Sequence, residues 1–155
     1  MALSFPYYKV TDFPRHQKRE RLLPWLRFGI FSPRDEETVV YPLGLVDSGS
    51  DITIIDHEFA EELGIDLKKA RKDQKRNVVG VGGGKIEICL YDVGFIVDDG
   101  SGTKPIKYTD LVGFSYTGFP PSMPQQTAIL GTIGFFRKLK VTFNFPKYIL
   151  VEPLQ

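Results

Sequence analysis

The stretch that decides the fold is Leu45-Val46-Asp47-Ser48-Gly49-Ser50, which places an acid, a small hydroxyl residue and a glycine in a row. Apolar runs rich in β-branched residues lie on both sides, at 39–46 and at 52–55. Such runs predict strands, and Asp-Ser-Gly-Ser predicts the turn that joins them. Asp, Ser and Gly are also ordinary turn residues. Solvation opposes placing an acid between two buried strands, so Asp47 needs a reason to be there.

The size and composition of the chain predict one all-β domain. It has 155 residues, of which 42% are hydrophobic and 25% charged, and it is rich in turn formers, with 15 glycines and 11 prolines. This composition favours many short strands and turns. A net charge of +1 gives no general attraction to nucleic acid or to anionic membranes. With the single cysteine Cys89, no internal disulfide can form, and we expect a cytoplasmic protein without a membrane span.

The apolar pattern predicts the order of the elements. Residues 1–23 are expected to form an N-terminal arm or edge strand, and residues 24–155 the domain itself. A short helix is predicted over 56–64, with Asp56 as N-cap and Gly64 after the last turn, and a second one over 132–139, capped by Thr132. Strands are predicted at 5–10, 25–31, 39–46, 52–55, 85–91, 93–97, 106–114, 139–145 and 148–152.

A glycine-rich segment, Val78-Val79-Gly80-Val81-Gly82-Gly83-Gly84-Lys85, follows a strand and raises the possibility of a phosphate site. A phosphate-binding glycine loop must open a helix, whose N-terminus holds the anion. Here the residues after it, 85–91, alternate with a period of two and predict a strand. The segment is therefore interpreted as the tip of a hairpin, where consecutive glycines allow a close approach of the backbone.

Two basic runs, at 15–21 and 68–76, suggest a nucleic-acid contact. The second run lacks interleaved aromatic residues, and acids elsewhere balance it, so a solvated surface is the favoured interpretation of both. His16 and His57 have no second ligand at metal spacing and are interpreted as surface residues. We therefore expect no metal, no cofactor and no nucleic-acid partner.

Four features follow one another along the chain: the Asp-Ser-Gly loop, the glycine-tipped hairpin, the strand ending in Ala128-Ile129-Leu130-Gly131, and a short helix with a following strand. This order resembles the retropepsin-like family of single-domain aspartic proteases over residues 22–152. The segment from Ile129 through Gly134-Phe135-Phe136 to Val141-Thr142-Phe143 is similar to uncharacterised bacterial members. The family resemblance implies a closed, barrel-like β fold with one or two short helices, acting as a homodimer.

The resemblance also implies roles for individual residues. The catalytic residue would be Asp47, in an active-site loop supported by Ser48, Gly49 and Ser50. Gly49 would turn its N–H toward the carboxylate, and Ser48 would bond to the partner loop. A second motif would pack beneath that loop: Ile129, Leu130 and Gly131. The mobile flap over the site would be the hairpin tip: Val79, Gly80, Val81, Gly82, Gly83 and Gly84.

The chemistry of this family requires two carboxylates. A pair about 3 Å apart shares one proton, so that one member activates water and the other protonates the leaving nitrogen. Asp-Ser-Gly occurs once in the chain. A pair therefore needs a second copy, and we expect a two-fold homodimer that hydrolyses polypeptides. The family adds the C-terminal strand and the N-terminal segment as further dimer contacts.

The chain departs from the viral members at one place. Those members carry an Arg after the glycine of the second motif, paired with an acid four residues past the catalytic one. Here Asp51 holds the place of the acid, but Thr132 follows Gly131. Two alternatives to a protease stay open: a catalytically inactive dimeric module of the same fold that binds extended peptides, and a nucleic-acid-binding β protein using residues 68–76.

Overall fold

The computed structural model describes residues 1–11, 20–80, 83–119 and 125–154, and it is mostly β. Within these residues, one α-helix lies at His57–Glu62 (α1), and two 3-10 turns lie at Leu67–Lys69 and Lys72–Gln74. No helix among them is both long enough and apolar enough to cross a membrane. The strands are β1 Leu3–Pro6, β2 Tyr8–Val10, β3 Arg21–Leu23, β4 Trp25–Arg27, β5 Gly29–Ser32, β6 Asp35–Val40, β7 Leu43–Val46, β8 Ile54–Asp56, β9 Lys75–Val79, β10 Lys85–Val97, β11 Ile106–Ser115, β12 Ala128–Leu130, β13 Leu139–Asn144 and β14 Tyr148–Pro153.

A nine-stranded sheet forms the body of the molecule. Its strands follow the order β4-β7-β12-β8-β11-β10-β5-β6, with β9 added to β10. The prediction of an all-β fold is confirmed, and the sheet curls into a half-barrel. The closed barrel expected from the family is not shown by this order, which leaves β4 and β6 as its two ends among the described strands.

The chain ends meet in a separate three-stranded sheet of order β1-β14-β13. Leu3 pairs with Val151 and Phe5 with Ile149, so β1 runs antiparallel to the C-terminal strand of its own chain. The side chains of Leu3 and Phe5 are buried in the main core. Part of the expected N-terminal arm is thus integrated into the folded body.

The core lies between the curled sheet and this terminal sheet. Its largest fully buried side chains are aromatic: Trp25, Phe28, Phe95, Phe114 and Phe135. Burying a side chain of this size stabilises the fold by roughly 2–3 kcal/mol. A second, smaller cluster consists of Ile52, Ile54 and Ile88, against which Val78, Leu90, Phe119 and Ile133 pack.

Three predicted strands are each divided in the structure: 5–10, which breaks at Tyr7 between β1 and β2, and two strands of the main sheet. The segment 25–31 breaks at Phe28, between β4 and β5, and the segment 39–46 breaks at Pro42, between β6 and β7. Pro42 has no N–H to give to a sheet, but its carbonyl accepts a hydrogen bond from Phe28 N at 3.2 Å. The two breaks therefore face each other and let both strands turn together from one part of the sheet to the next.

The first predicted helix is present and the second is not. Asp56 caps α1 by accepting a hydrogen bond from Glu58 N, and Gly64 follows with a φ of +74°. Residues 132–138 form turns and two isolated β-bridge positions, at Ile133 and Gly134, instead of the helix expected over 132–139, and Thr132 caps no helix in the described part of the chain. Gly134, with a φ of +96°, ends any helical path there. The prediction of a helix in this segment was wrong because Gly134 adopts a left-handed backbone conformation that does not occur within an α-helix.

Candidate active site

The Asp47 loop is a tight turn that leaves β7 and keeps its carboxylate at the surface. Gly49 N donates to Asp47 Oδ1 at 2.9 Å, and Ser50 N donates to the Asp47 carbonyl at 3.2 Å. Asp47 and Ser50 are partly buried, whereas Ser48 and Gly49 are exposed. The loop therefore orients one carboxylate oxygen through its own backbone, and the other has no hydrogen-bond partner among the described residues.

The second motif runs parallel to the strand that leads into this loop. In β12, Ile129 lies opposite Leu45, and Leu130 lies opposite Val46. Beyond the ends of these strands the pairing continues, because Asp47 N donates to the Leu130 carbonyl at 3.0 Å. The structure thus brings Asp47 together with the Ile129-Leu130-Gly131 segment, although Gly131 lies 84 residues after Asp47 in the sequence.

The far side of the loop is held by the residues after Gly131. Thr132 N donates to the Ser50 carbonyl at 2.9 Å, and Ile133 N donates to the Asp51 carbonyl at 3.0 Å. The Ser50 side chain closes the loop internally through a 2.9 Å bond from Oγ to the Ile52 carbonyl. Backbone hydrogen bonds to the second motif therefore fix the Asp47 loop at both its ends, which restricts the positions that its carboxylate can take.

Gly131 is required because the two segments cross so closely. A Cβ at this position would lie 2.7 Å from the Ser50 carbonyl oxygen and 2.8 Å from that of Ile52. Both are backbone atoms that cannot move aside without displacing the loop. Gly131 N also donates to the buried hydroxyl of Thr53 at 3.1 Å. The missing side chain of Gly131 thus lets the backbones of the loop and of the second motif pack in direct contact.

An ion pair between a buried acid and an exposed arginine, which the sequence did not predict, supports this region from behind. Asp110 on β11 is almost fully buried and accepts hydrogen bonds from both Nε and Nη2 of Arg137. Its Oδ2 also accepts from Gly134 N at 2.9 Å. Tyr108, two residues earlier on the same strand, donates its hydroxyl to the Gly134 carbonyl at 2.9 Å. In the turn after Gly131, both the N–H and the carbonyl of Gly134 therefore form hydrogen bonds to side chains of β11.

The charge state of Asp110 follows from these contacts. Burial by itself raises the pKa of its carboxyl, but the hydrogen bonds from Arg137 and from two backbone N–H groups outweigh burial and leave the pKa below its ordinary value. Burial raises the pKa of Tyr108 well above its ordinary value, and the neighbouring Asp110 charge raises it further. Asp110 is thus an anion and Tyr108 a neutral donor near neutral pH.

The sequence marks only one member of this ion pair, Asp110. Asp110 stands out as an acid between the hydrophobic residues of the predicted strand 106–114. Its partner lies 27 residues away, in the segment that was interpreted as a helix. Asp51, the acid that corresponds to the viral ion pair, is exposed. An ion pair between the buried Asp110 and the exposed Arg137 is therefore present near the second motif, and Asp51 is not part of it.

The glycine-tipped hairpin is formed by β9 and β10. Gly80 N donates to the Gly84 carbonyl at 2.8 Å, and Gly83 has a φ of +82°. Val79 is the last residue of β9, and Val81 and Gly82 lie outside the described residues. Below the tip, Val78 and Ile88 pack in the same apolar cluster as Ile52 and Ile54. Side chains of the hairpin and of the strand that leaves the Asp47 loop therefore pack in the same apolar cluster.

The remaining polar features lie elsewhere. In the basic run 68–76, Arg71 pairs with Asp73 at 3.1 Å, and Arg76 donates to two backbone carbonyls of its own segment. His57 is partly buried between Asp56 and Glu61, and His16 lies outside the described residues. Among the residues that the structure describes, no three His, Cys, Asp or Glu side chains come together as metal ligands would.

Of the comparisons with known proteins, the one with solved structures supports the fold. No protein-family model matches the chain, and no curated protein matches its sequence. Among solved structures, it is similar to the crystal structure of a retropepsin-like aspartic protease from Rickettsia conorii, with a TM-score of 0.57 and 14% sequence identity. The alignment covers 97% of this chain and 92% of that one. The likeness supports the retropepsin-like fold expected from the sequence.

Proposed function

We propose that this protein is an aspartic endopeptidase whose catalytic pair forms between the Asp47 residues of two identical subunits. The observation that carries the proposal is the backbone clamp on the Asp47 loop, in which Leu130 accepts from Asp47 N and Thr132 donates to the Ser50 carbonyl. An ordinary surface turn needs no such support at both ends. A carboxylate that must meet another with an accuracy of about 0.5 Å does need it.

The mechanism follows from two carboxylates held together. At a separation of about 3 Å both cannot be ionised, so they share one proton and titrate as a pair. The ionised member takes a proton from water as the water attacks the peptide carbonyl, and the protonated member gives its proton to the leaving nitrogen. Gly49 N, which donates to Asp47 Oδ1 at 2.9 Å, keeps the carboxylate in one orientation throughout.

The hairpin β9–β10 is proposed to act as the flap over this site. Its tip residues 80–84 include four glycines, and its base packs on Ile52 and Ile54 next to the Asp47 loop. A glycine-rich tip on an anchored base could open to admit a polypeptide and close to exclude water from the reaction. Ser48, exposed at the turn, is proposed to bond to the partner loop across the two-fold axis.

The decisive variant is Asp47→Asn. The amide can still accept the hydrogen bond from Gly49 N, so we expect an unchanged melting temperature, while peptidase activity near pH 4–6 falls by roughly 100-fold or more. Asp98→Asn is the matched control, because Asp98 also accepts from the N–H two residues later, at 2.9 Å, in an exposed turn. Full activity in Asp47→Asn, measured as cleavage of a peptide library by mass spectrometry, would end the proposal.

A second candidate function is a peptide-binding module of the same fold without catalysis. In its favour, β9 pairs only with β10 among the described strands, so its outer edge is available to an extended peptide. This candidate predicts peptide binding that Asp47→Asn leaves unchanged. It also predicts no cleavage of any library peptide and no binding of statine-type inhibitors, which imitate the tetrahedral intermediate of the protease reaction.

A further inference from the structure

The two terminal strands are already paired within one chain. β14 has β1 on one side and β13 on the other, with four and six residue pairs respectively. Both edges of the C-terminal strand are therefore occupied by hydrogen bonds inside the subunit. If a second copy extends this sheet, it has to use the outer edge of β1 or the outer edge of β13.

The outer edge of β1 is closed by its own chain. Ser4 N, which would otherwise be offered to a neighbouring strand, donates to Asp99 Oδ2 at 2.9 Å. The strand ends at Pro6, which has no N–H to offer. A side-chain cap and a proline are two of the devices by which proteins keep an edge strand from pairing with another chain.

The outer edge of β13 has neither a side-chain cap among the described residues nor a proline within the strand, and its one charged residue, Lys140, lies 4.0 Å from Glu152 of β14. No strand among residues 1–11, 20–80, 83–119 and 125–154 pairs with it. Phe143 lies on the same face as its register partner Ile149, yet it is 43% exposed, whereas Ile149 is fully buried. Phe145, just beyond the strand, is 67% exposed and touches the Tyr7 ring at a centroid distance of 5.4 Å. An edge without a strand partner among the described residues thus coincides with two exposed phenylalanines.

We propose that the second subunit pairs along β13, antiparallel to the same strand of its mate. An antiparallel strand pair made of two identical segments has two-fold symmetry, which is the symmetry that a shared Asp47 pair requires. The result is a six-stranded sheet across the dimer, in the order β1-β14-β13-β13-β14-β1, with Phe143 and Phe145 covered at its centre. This inference rests on the proposed function, because one chain supplies a single catalytic carboxylate.

This arrangement differs from the one that the family resemblance implied. There, the C-terminal strand and the N-terminal segment were expected to make the further dimer contacts themselves. Here, β1 and β14 instead form the outer part of each half-sheet, and the interface moves to the strand before the last turn. The exposed aromatic side chains supply the apolar contact that an edge pairing alone does not provide.

The first test is sedimentation equilibrium of the full chain over a range of concentrations. Phe143→Lys places a charge at the proposed interface and is expected to raise the dimer dissociation constant about tenfold or more. Phe145→Lys is a second variant with the same expectation, because its more exposed side chain contributes less to the fold of one subunit. Tyr41→Lys is the control, since Tyr41 is 55% exposed on another surface.

The second test locates the two-fold axis with single-cysteine variants at positions 140–144. In an antiparallel pair of identical strands, one position or two adjacent positions face their own copy closely enough for a disulfide. We therefore expect an oxidised covalent dimer at such a position and none with Ser4→Cys on the capped edge. The native Cys89 is fully buried, so the unmodified chain serves as the background.

The outcomes separate this inference from the proposed function. A dimer that resists both phenylalanine variants, or that crosslinks through Ser4→Cys and not through β13, would overturn the β13 interface and leave a dimeric protease in place. A chain that stays monomeric at every concentration and still cleaves peptides would overturn the shared Asp47 pair. A dimer that crosslinks through β13 but cleaves nothing would support the interface and contradict the protease.

Discussion

At the scale of single residues, Gly131 sets the distance between the Asp47 loop and the second motif. The apolar-apolar-glycine pattern could be recognised in the sequence, because glycine is the residue that permits close approach of two backbones. The reason for it could not, since the Ser50 and Ile52 carbonyls that a Cβ would strike belong to a segment about 80 residues earlier.

Gly131→Ala is expected to destabilise the protein by about 2–4 kcal/mol. The added methyl group would meet backbone oxygen at 2.7 Å, and relieving that overlap displaces the loop that holds Asp47. Urea denaturation measures the change. Gly84→Ala is the control, because a Cβ there meets nothing within 4 Å. Equal stability of the two variants would show that the backbone crossing at Gly131 is looser than the structure has it.

At the scale of elements, the turn 131–138 replaces a predicted helix and is held by β11. Gly134 marks the point where helix prediction failed, and its N–H bonds to Asp110 in place of a helical carbonyl. Hydrophobic periodicity correctly located β10, β11, β13 and β14, since each is long enough for its alternation to be recognised. It could not locate a turn whose shape depends on an ion pair between a buried acid and an arginine 27 residues later in the sequence.

Removing the Asp110 charge is expected to alter the dependence of stability on pH. The folded-state pKa of Asp110 lies below that of the unfolded chain, so its stabilisation is complete above an ordinary Asp pKa of about 3.9 and is lost as pH falls through the folded-state value. Asp110→Asn should cost about 2 kcal/mol at pH 7 and progressively less below about pH 4.

The measurement is the free energy of unfolding at several pH values between 3 and 7. Asp73→Asn is the control, because the Arg71–Asp73 pair is exposed on both sides and should matter little at any pH. A constant difference between Asp110→Asn and the wild type over the whole range would mean that Asp110 does not carry its charge in the folded protein.

At the scale of the whole molecule, the sequence predicts an all-β chain and the order of its main motifs. It does not predict that β12 lies between β7 and β8, parallel to one and antiparallel to the other. Such pairings join segments from the two halves of the chain, and the local pattern of apolar residues does not predict which strands pair. The three-dimensional structure supplies these pairings, and its likeness to a solved retropepsin-like protease covers 97% of the chain.

A dimeric active site predicts that activity depends on concentration. If each active site takes one Asp47 from each subunit, the rate falls with the square of the total protein concentration well below the dimer dissociation constant. Diluting the enzyme twofold in that range should therefore reduce peptide cleavage about fourfold. A rate that stays proportional to concentration, at dilutions where sedimentation shows separated subunits, would assign the activity to the single chain.

The pairing of β1 with β14 has a consequence for maturation by proteolysis. Many proteases are kept silent by an N-terminal extension that is cut off and released. In this chain Leu3 and Phe5 are buried in the main core, and four residue pairs hold β1 on β14. We therefore expect a cut after β2 to leave β1 bound to β14 for as long as the terminal sheet stays folded, so cleavage alone would not release it.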